Sequence, residues 1–460
     1  MLDEEQQTRF SNSGVPIVLP DVAEFESRCQ LWNRMIDRRP IAIAACKNKR
    51  DVQNAVEVAK TLGLKTCIKG GGHNIAGAAM ASDALMIDLS DMRDVVVDPE
   101  ARVAYVQGGA MLADVDRATQ VHNLAVPLGI ASETGVGGLA LGGGMGWLSR
   151  QFGLTCDNLL AAEIILADGT VTRVEPNTHP DLFWALQGGG GGLGVITQFE
   201  FRLHPVGPKV LFGPTVFALE DGHKALRLWD AVLKSASHHA TIWVDIAMAP
   251  PAPFLPPHVH GTPVVVLLQC WAGNIDEGAD ALAAIQEHPD ALGSWVIERP
   301  FVEAQQFIDE AYAKGARNYW SPSAHVALTD ALITRLLDIG ATLPSKESDI
   351  LLCGLGGAID DVAPDATAHP HRGTRIMAVP GARFHDEAQD ETMIAWAKQA
   401  GASLAALGSS AAYVNFISES GGRRADAFGA NQARLKQIKT RYDPDGMFLG
   451  ARDSLRAADN

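Results

Sequence analysis

Three glycine-rich stretches decide the fold: KGGGHN at residues 69–74, TGVGGLALGGGMG at residues 134–146 and GGGGGLG at residues 188–194. A glycine inside an element costs about 0.5–1 kcal/mol of backbone entropy relative to alanine. This cost is usually offset because glycine lets a ligand approach the backbone closely, or adopts a positive φ that directs several amides toward one anion. A single stretch is explained equally well by a tight turn, but three of them favour a large ligand with phosphate groups.

Two common phosphate-binding motifs fit these stretches poorly. Residues 189–194 satisfy GxGxxG and residues 135–140 satisfy GxGxxA, which a dinucleotide-binding βαβ unit places between a strand and a helix. A strand-like segment follows Gly194 instead, and no acidic residue ends a clear partner strand about 20 residues after the other motif. GxxxxGK followed by Ser or Thr does not occur, which excludes a P-loop.

Helix-like and strand-like segments alternate around the glycine stretches. Apolar residues recur every three or four positions in residues 51–63 and 111–122, which predicts two helices. An Asp-Gly pair at 168–169 predicts a hairpin between residues 161–166 and 171–174. Further strands are predicted over residues 84–89, 95–98, 103–107 and 195–203. The first half is therefore a mixed α and β unit.

From about residue 210 the pattern changes, because triple glycines disappear and longer apolar runs begin. The run at 264–269 predicts a strand, and the segments 276–286 and 329–339 predict helices. A last helix is predicted over residues 424–442, before Pro444. These features indicate a second domain.

Composition narrows the class of protein. With 460 residues, and roughly 150 residues per domain, two or three domains are expected. Hydrophobic residues make up 47% and the net charge is −16, which favours a folded chain and argues against nucleic acid as a partner. The first ten residues lack an export-signal pattern, no apolar run could span a membrane, and six scattered cysteines fit reduced thiols. A cytoplasmic protein without a membrane or a metal is expected.

His73 is the sharpest single candidate for chemistry. It directly follows three glycines, so side-chain bulk has been removed around it. A neutral imidazole is a nucleophile, and a neighbouring cation such as Lys69 would favour its neutral form. A lone histidine is more often structural, and both interpretations stay open on this residue alone.

Six segments together resemble a known family. The stretches KGGGHN and GVGGLALGGGMG are joined by FGLTCDNL at 152–159, DLFWAL at 181–186, YVN at 413–415 and YDP at 442–444. In this order they resemble the FAD-linked oxidases of the vanillyl-alcohol oxidase superfamily, with its PCMH-type FAD-binding domain, and specifically the berberine-bridge-enzyme-like branch. The resemblance covers nearly the whole chain.

The resemblance implies an α+β fold with three parts. A PCMH-type FAD-binding domain of two subdomains is expected over residues 1–205. A substrate domain with a mixed, largely antiparallel sheet covered by helices is expected over 206–418, and a C-terminal segment over 419–460 returns to the FAD domain. The flavin ring would lie at the junction of the two domains.

The resemblance also assigns the cofactor. His73 would bond covalently to the 8α-methyl of FAD. Many members of the branch add a thioether from a cysteine two residues after the glycine that matches Gly129, and Ala131 stands there, so a single covalent link is expected. The other cofactor-binding residues implied are Lys69, Gly70, Gly71, Gly72, Asn74, Thr134, Gly135, Gly137, Gly138, Leu139, Gly142, Gly143, Gly146, Leu148, Asn158, Gly194 and Val195.

The catalytic residues are less well defined, because Cys353 stands where the branch often has a glutamate. Tyr413 becomes the first candidate for a general base, on a Tyr-x-Asn strand facing the flavin, with a packed core aromatic as the alternative. Asn415 would contact the flavin or the substrate. Tyr319 and Trp320, with Cys353, are candidates for the substrate pocket.

A second polar cluster, His369, His371 and Arg372, predicts a surface turn rather than a metal site, because supporting ligands at fixed spacing are missing.

The resemblance implies an oxidase that takes a hydride from a small organic substrate and returns it to dioxygen as hydrogen peroxide. A flavin dehydrogenase and an oxidative-cyclisation enzyme are alternatives. A flavin-binding protein without catalysis is an alternative of another class, favoured by the missing glutamate. Sugars, alkaloids, phenols and polyketides all stay open as substrates, and the chain is expected to be a monomer or a homodimer.

Overall fold

The computed structural model describes residues 4–418 and 423–454, which form an α+β fold built on three main sheets. The smallest main sheet has four strands and is named sheet A. Its two parallel pairings join Ala84–Asp88 to Ala42–Ala45 and to Lys65–Lys69, and Ile17–Val18 is added antiparallel at one edge. Parallel strands need crossovers, and Lys49–Thr61 supplies the helix between Ala42–Ala45 and Lys65–Lys69.

That helix begins where the sequence provides a cap. The Asn48 side chain accepts a hydrogen bond from the Asp51 amide at 3.1 Å, and Asp51 places a negative charge in the first turn. Val52, Ala55, Val56 and Ala59 are fully buried on one face. The predicted helix over 51–63 is therefore confirmed, with its start two residues earlier.

Sheet B has five antiparallel strands and contains the predicted hairpin. Its order is Val95–Asp98, Val103–Gln107, Val195–Arg202, Leu159–Ile165 and Val171–Val174. A two-stranded pairing of Leu124–Ala125 with His204–Pro205 lies beside it. The helices of this half are Glu4–Asn12, Ala23–Arg28, Lys49–Thr61, Leu112–Gln120, Val136–Gly142, Ser149–Phe152 and Pro180–Leu186.

Sheet C has nine strands, all paired antiparallel, and occupies the second half of the chain. Its main order is Ala291–Ser294, Lys209–Ala218, Pro263–Trp271, Ala240–Met248, Asp349–Gly354, Ile376–Phe384 and Arg317–Trp320. Ile297–Pro300 and Ser323–His325 pair at its margins. The helices of this half are Gly222–Ser235, Ile275–Gln286, Phe301–Gln305, Asp330–Gly340 and Asp390–Ala405.

The two faces of sheet C have different partners. Ile242, Val244 and Ile246 belong to the core under the helices, whereas Trp243 belongs to the core shared with sheet B. Alternate residues of a strand point to opposite faces. The odd-numbered residues of Ala240–Met248 and Asp349–Gly354 therefore face the first half of the chain, where the glycine stretches lie.

The C-terminal segment differs from the single helix predicted over 424–442. The structure has two helices, Arg424–Phe428 and Gln432–Tyr442, with a 3-10 turn between them. Gly429 adopts φ +47°, a left-handed conformation that ends a helix. Beyond Pro444 the chain runs beside sheet A, where Thr66 exchanges backbone hydrogen bonds of 2.8 Å with Met447 and Leu449.

Candidate active site

A cavity of about 240 Å³ separates the glycine stretches from the odd-numbered face of sheet C. A single water needs only about 10–15 Å³ by a comparable measure, so the space suits an organic ligand. Its walls combine backbone of all three glycine stretches with side chains of sheet C, and among the side chains that the structure describes no Lys or Arg lines it. Backbone amides of the glycine stretches are the donors that these walls offer to an anion.

The first two glycine stretches touch each other through their backbones. A Cβ atom on Gly71 would lie 2.4 Å from the Gly135 amide nitrogen, and one on Gly135 would lie 2.4 Å from that of Gly71. Glycine is therefore required at both positions, because the two backbone segments cross in direct contact and leave no room for a Cβ atom. The tight-turn and ligand-binding interpretations both hold, because the same stretches also line the cavity.

The third stretch provides a run of left-handed backbone. Gly190, Gly191 and Gly192 have φ values of 80°, 72° and 74° and line the cavity. Successive residues with a positive φ are accessible only to glycine without strain.

His73 lies on the cavity wall, four residues into the loop that joins Lys65–Lys69 to Ala84–Asp88. Its ring stacks on Trp32, with 4.6 Å between ring centroids. Burial, together with a smaller effect of the Arg383 charge, lowers the pKa of His73 to about 4. The imidazole is therefore neutral at neutral pH.

Lys69 is not the cation that keeps His73 neutral. Its Nζ lies 3.6 Å from an Asp88 oxygen and 3.2 Å from the Ser90 hydroxyl, and the side chain does not line the cavity.

The predicted cofactor-binding residues fall into two groups. Those that line the cavity are Gly70, Gly71, Gly72, His73, Asn74, Thr134, Gly135, Gly137, Gly138, Leu139 and Gly194. Those that do not are Lys69, Gly142, Gly143, Gly146, Leu148, Asn158 and Val195.

The second group supports the wall from behind. A Cβ on Gly142 would meet the Asn415 amide at 2.3 Å, one on Gly143 would meet His369 at 2.9 Å, and one on Gly146 would meet the Leu128 carbonyl at 2.1 Å. The Asn158 amide donates to the carbonyls of Phe152 and Leu154. Leu148 is in the core and Val195 is buried in sheet B.

Tyr413 lines the cavity but precedes a 3-10 turn, Val414–Phe416, rather than lying on a strand as predicted. Its hydroxyl accepts from the Gly144 amide at 2.9 Å and from Asn415 Nδ2 at 2.8 Å. Burial raises the pKa of Tyr413 above its usual value of about 10. The hydroxyl keeps its proton, which is free to be donated into the cavity, so a role as general base is disfavoured.

Two of the three predicted pocket residues do not line the cavity. Cys353 is fully buried without lining it, and burial raises the pKa of its thiol above the usual range. Tyr319 and Trp320 are adjacent on a strand, so their side chains take opposite faces. Trp320 lines the cavity and Tyr319 does not.

The predicted surface turn at 369–372 is wrong, because its side chains are buried. Arg372 donates to both oxygens of Asp157, at 2.6 and 2.8 Å, and the two side chains are only 2% and 7% exposed. His369 packs edge-on against Tyr413 with 6.0 Å between ring centroids. Among the residues described, no group of His, Cys, Asp and Glu could hold a metal ion.

Asp349 and Tyr312 also line the cavity, and the sequence analysis did not identify them. The Tyr312 hydroxyl donates to Asp349 Oδ2, and the Trp32 indole donates to the Tyr312 carbonyl at 2.6 Å. Burial raises the pKa of Asp349 to about 7, against the opposing effects of Tyr312 and Arg383. Strand alternation was the available signal, since residues 349, 351 and 353 share one face.

Comparison with known proteins agrees with this arrangement. A family model described as "FAD binding domain" matches residues 40–175, and one described as "Berberine and berberine like" matches residues 412–450. The chain is 28% identical to the uncharacterized FAD-linked oxidoreductase YgaK of Bacillus subtilis, covering 94% of this chain and 95% of that one. It is 31% identical to (R)-6-hydroxynicotine oxidase of Paenarthrobacter nicotinovorans over about half of each chain.

Solved structures share the fold over nearly the whole length. 6-Hydroxy-D-nicotine oxidase from Arthrobacter nicotinovorans superposes with a TM-score of 0.85 at 23% identity, covering 95% of this chain and 96% of that one. Berberine bridge enzyme in complex with (S)-reticuline superposes with a TM-score of 0.85 at 21% identity, covering 99% of each chain.

The FAD-binding family model and the FAD-linked relatives identify an FAD-linked oxidoreductase, and the solved structures share its fold. Within that class, the family-model matches and the relatives support the berberine-bridge-enzyme-like branch of the PCMH-type FAD oxidases. The predicted family and α+β fold are thereby confirmed. None of the helices described is both long and apolar enough to cross a bilayer.

Proposed function

We propose that this FAD oxidoreductase is an oxidase whose flavin is held by one covalent bond, from His73 to the 8α-methyl. The observation that carries the proposal is the neutral His73 imidazole on the cavity wall, stacked on Trp32 at the end of a glycine loop. Ala131 lines the same cavity and offers no thiol for a second bond. Dioxygen is the proposed electron acceptor, with hydrogen peroxide as the product.

The cavity fits FAD in its chemistry. Backbone of the three glycine stretches provides neutral amide donors for the diphosphate, and aromatic side chains from the second half suit the flavin end. We propose that the eleven cavity-lining residues named above bind FAD and that Lys69, Gly142, Gly143, Gly146, Leu148, Asn158 and Val195 support them. Bound flavin would supply two-electron redox chemistry.

The protein side of the reaction is positioning and hydrogen bonding. The Tyr413 hydroxyl donates a hydrogen bond to the bound molecule. The Asn415 side-chain amide donates to the Tyr413 oxygen and so fixes its position. The ring centroid of Trp320 lies 5.4 Å from those of Trp32 and Phe416. These packed rings exclude water from the junction of the two domains. The cavity-facing carboxyl of Asp349 argues against a protein that has lost catalysis, although the branch's usual glutamate is missing.

The proposed domains are residues 1–205 for FAD, 206–418 for substrate and 419–460 as the returning segment. Residues 1–3, 419–422 and 455–460 lie outside the described part of the chain. The six cysteines are all buried and free, which supports a reducing, cytoplasmic location. We propose a monomer or a homodimer.

The deciding experiment is acid precipitation of the purified protein, followed by ultraviolet inspection of a denaturing gel. Fluorescence that stays with the chain is expected. Flavin released into the supernatant would contradict the covalent bond. Peroxide formation with a reducing substrate, compared with reduction of an artificial dye, separates the oxidase from a dehydrogenase.

Covalent attachment is expected to depend little on pH between 5 and 8. With a pKa of about 4, the His73 imidazole stays about 90% neutral at pH 5, whereas an ordinary histidine would be about 3% neutral. Protein prepared without flavin is mixed with FAD at each pH, and acid-stable fluorescence is followed in time. A rate that falls roughly thirtyfold between pH 8 and pH 5 would show an unshifted histidine.

Replacing Tyr413 with phenylalanine is expected to slow flavin reduction by about 10²-fold, because a positioned hydrogen-bond donor is lost. Flavin content is expected to change little, since the ring still packs against Phe416 and His369. Stopped-flow reduction and flavin content are measured on the same preparation. Equal reduction rates would make Tyr413 a packing residue only.

A further inference from the structure

The sheet C wall of the cavity carries two carboxyl groups on neighbouring strands. Asp349 lines the cavity, and Asp245 lies on the adjacent strand, where it is paired in register with Leu351. Residues 245 and 349 are therefore diagonal neighbours on one face, close enough for their charges to interact. Asp245 Oδ1 is buried and has no hydrogen-bond partner.

The backbone leaves room for the Asp349 carboxyl. Gly381 faces Asp349 across the strand pair, and a Cβ there would lie 2.7 Å from Asp349 Oδ1 and 3.2 Å from Trp320 Cδ1. The absent side chain keeps the carboxyl and the indole side by side. This corner is therefore a shaped site rather than a chance placement of two acids.

The groups facing the pair do not neutralise it. The Tyr312 hydroxyl donates to Asp349 but carries no charge. The charge of Arg383 lowers the pKa of Asp349. The Arg383 guanidinium, however, donates hydrogen bonds to Glu347 at 3.0 Å and to Asn318 at 3.1 Å. Burial raises the pKa of both carboxyls, that of Asp349 to about 7, so Asp349 carries negative charge in part at neutral pH and fully above it.

The other walls on this side of the cavity combine aliphatic residues, Leu351 and Val379 among them, with aromatic side chains. Trp243, Tyr312, Trp320 and Phe416 all line the cavity. Aromatic faces attract cations, and the attraction strengthens where water is excluded. Negative charge and aromatic rings together favour a positively charged ligand over an alcohol, and disfavour a carboxylate or a phosphate.

Building on the proposed function, we infer that the substrate is a small organic amine that binds as its ammonium ion against Asp349, with Asp245 behind it. Asp349 accepts the proton that the amine loses: the N–H bond breaks, an O–H bond forms on the carboxylate, and the nitrogen keeps its lone pair. The α-carbon then loses a hydride with both C–H electrons, and the lone pair forms the C=N bond of an iminium ion. Oxidised flavin is the electron acceptor.

The test is ligand binding without turnover, by titration calorimetry on the purified flavoprotein. Tetramethylammonium and benzyltrimethylammonium are the cationic probes, since neither has a nitrogen lone pair and neither can be oxidised to an iminium. Tert-butyl alcohol and benzyl alcohol are the neutral probes of similar shape. Each cation is expected to bind at least about tenfold more tightly than its neutral counterpart.

Asp349→Asn keeps the shape of the side chain and removes its charge. It is expected to weaken cation binding about tenfold or more while alcohol binding stays within about twofold. Asp338→Asn is the matched control, because Asp338 is exposed on the helix Asp330–Gly340, which packs on the opposite face of sheet C and does not line the cavity. Circular dichroism and the flavin spectrum verify that each variant is folded.

Two further variants guard against a folding defect in Asp349→Asn. Gly381→Ala pushes on the Asp349 carboxyl, and Asp245→Asn removes the second carboxyl, whose proximity affects the charge of Asp349. Both are expected to change cation binding while alcohol binding stays within about twofold. Alcohols that bind as tightly as the cations, or cation affinity unchanged in all three variants, would overturn the inference. Because no turnover or covalent flavin is measured, this result is independent of the acid-precipitation result.

Discussion

Purified His73→Ala protein is expected to contain no covalently bound flavin, whereas the wild-type chain is expected to carry it in near-stoichiometric amount. The imidazole is the only nucleophilic group proposed for the bond, and alanine cannot replace it. Loss of the ring also removes the 4.6 Å stack on Trp32. Retention of FAD is expected to fall as well, since the covalent bond no longer holds the cofactor in the cavity.

The measurement compares total flavin, from the visible spectrum, with acid-stable flavin on a denaturing gel. His238→Ala is the matched control, because His238 is an exposed histidine outside the cavity, and it is expected to keep covalent flavin at the wild-type level. Acid-stable flavin in His73→Ala at that level would refute the assignment. A His73→Ala protein that binds FAD reversibly would show that the fold tolerates the change.

Most secondary structure of the first half could be predicted from sequence because its signals are local. The strands Val95–Asp98 and Val103–Gln107 have the predicted bounds, since each is a short apolar run between turn residues. The terminal helix was predicted too long, because Gly429 interrupts it without disturbing the apolar period. Local pattern shows where a helix is favoured more clearly than where the chain turns.

The sheet C wall of the cavity was harder to predict, because it depends on which strands become neighbours in the sheet. Cys353 was predicted to line the pocket because it matches a family position that often holds a glutamate. Asp349, four residues earlier on the same face of the strand, lines the cavity instead. Asp245 acquires its importance only through pairing with the strand that carries Asp349. Such non-local register is not encoded in the spacing of either segment alone.

The buried turn at 369–372 shows the same limit and has a large energetic consequence. Polar residues such as His371 and Arg372 suggested solvent, but Asp157, more than two hundred residues earlier in the chain, provides the partner. Burying a charge without a partner costs several kcal/mol. The pair therefore ties the segment after the second glycine stretch to the segment beside Tyr413.

Replacing Asp157 with asparagine is expected to lower the free energy of unfolding by about 3–5 kcal/mol, because the Arg372 guanidinium would stay buried without its counter-charge. The loss is expected to be smaller in the double variant Asp157→Asn with Arg372→Met, since no unpaired charge remains buried there. Urea denaturation of the two single variants, the double variant and the wild type gives the coupling between the residues.

The Lys209–Glu298 pair, with side chains 55% and 46% exposed, is the control, and its removal is expected to have little effect. Additive losses in the Asp157 and Arg372 variants would show that the two side chains do not stabilise the fold as a pair.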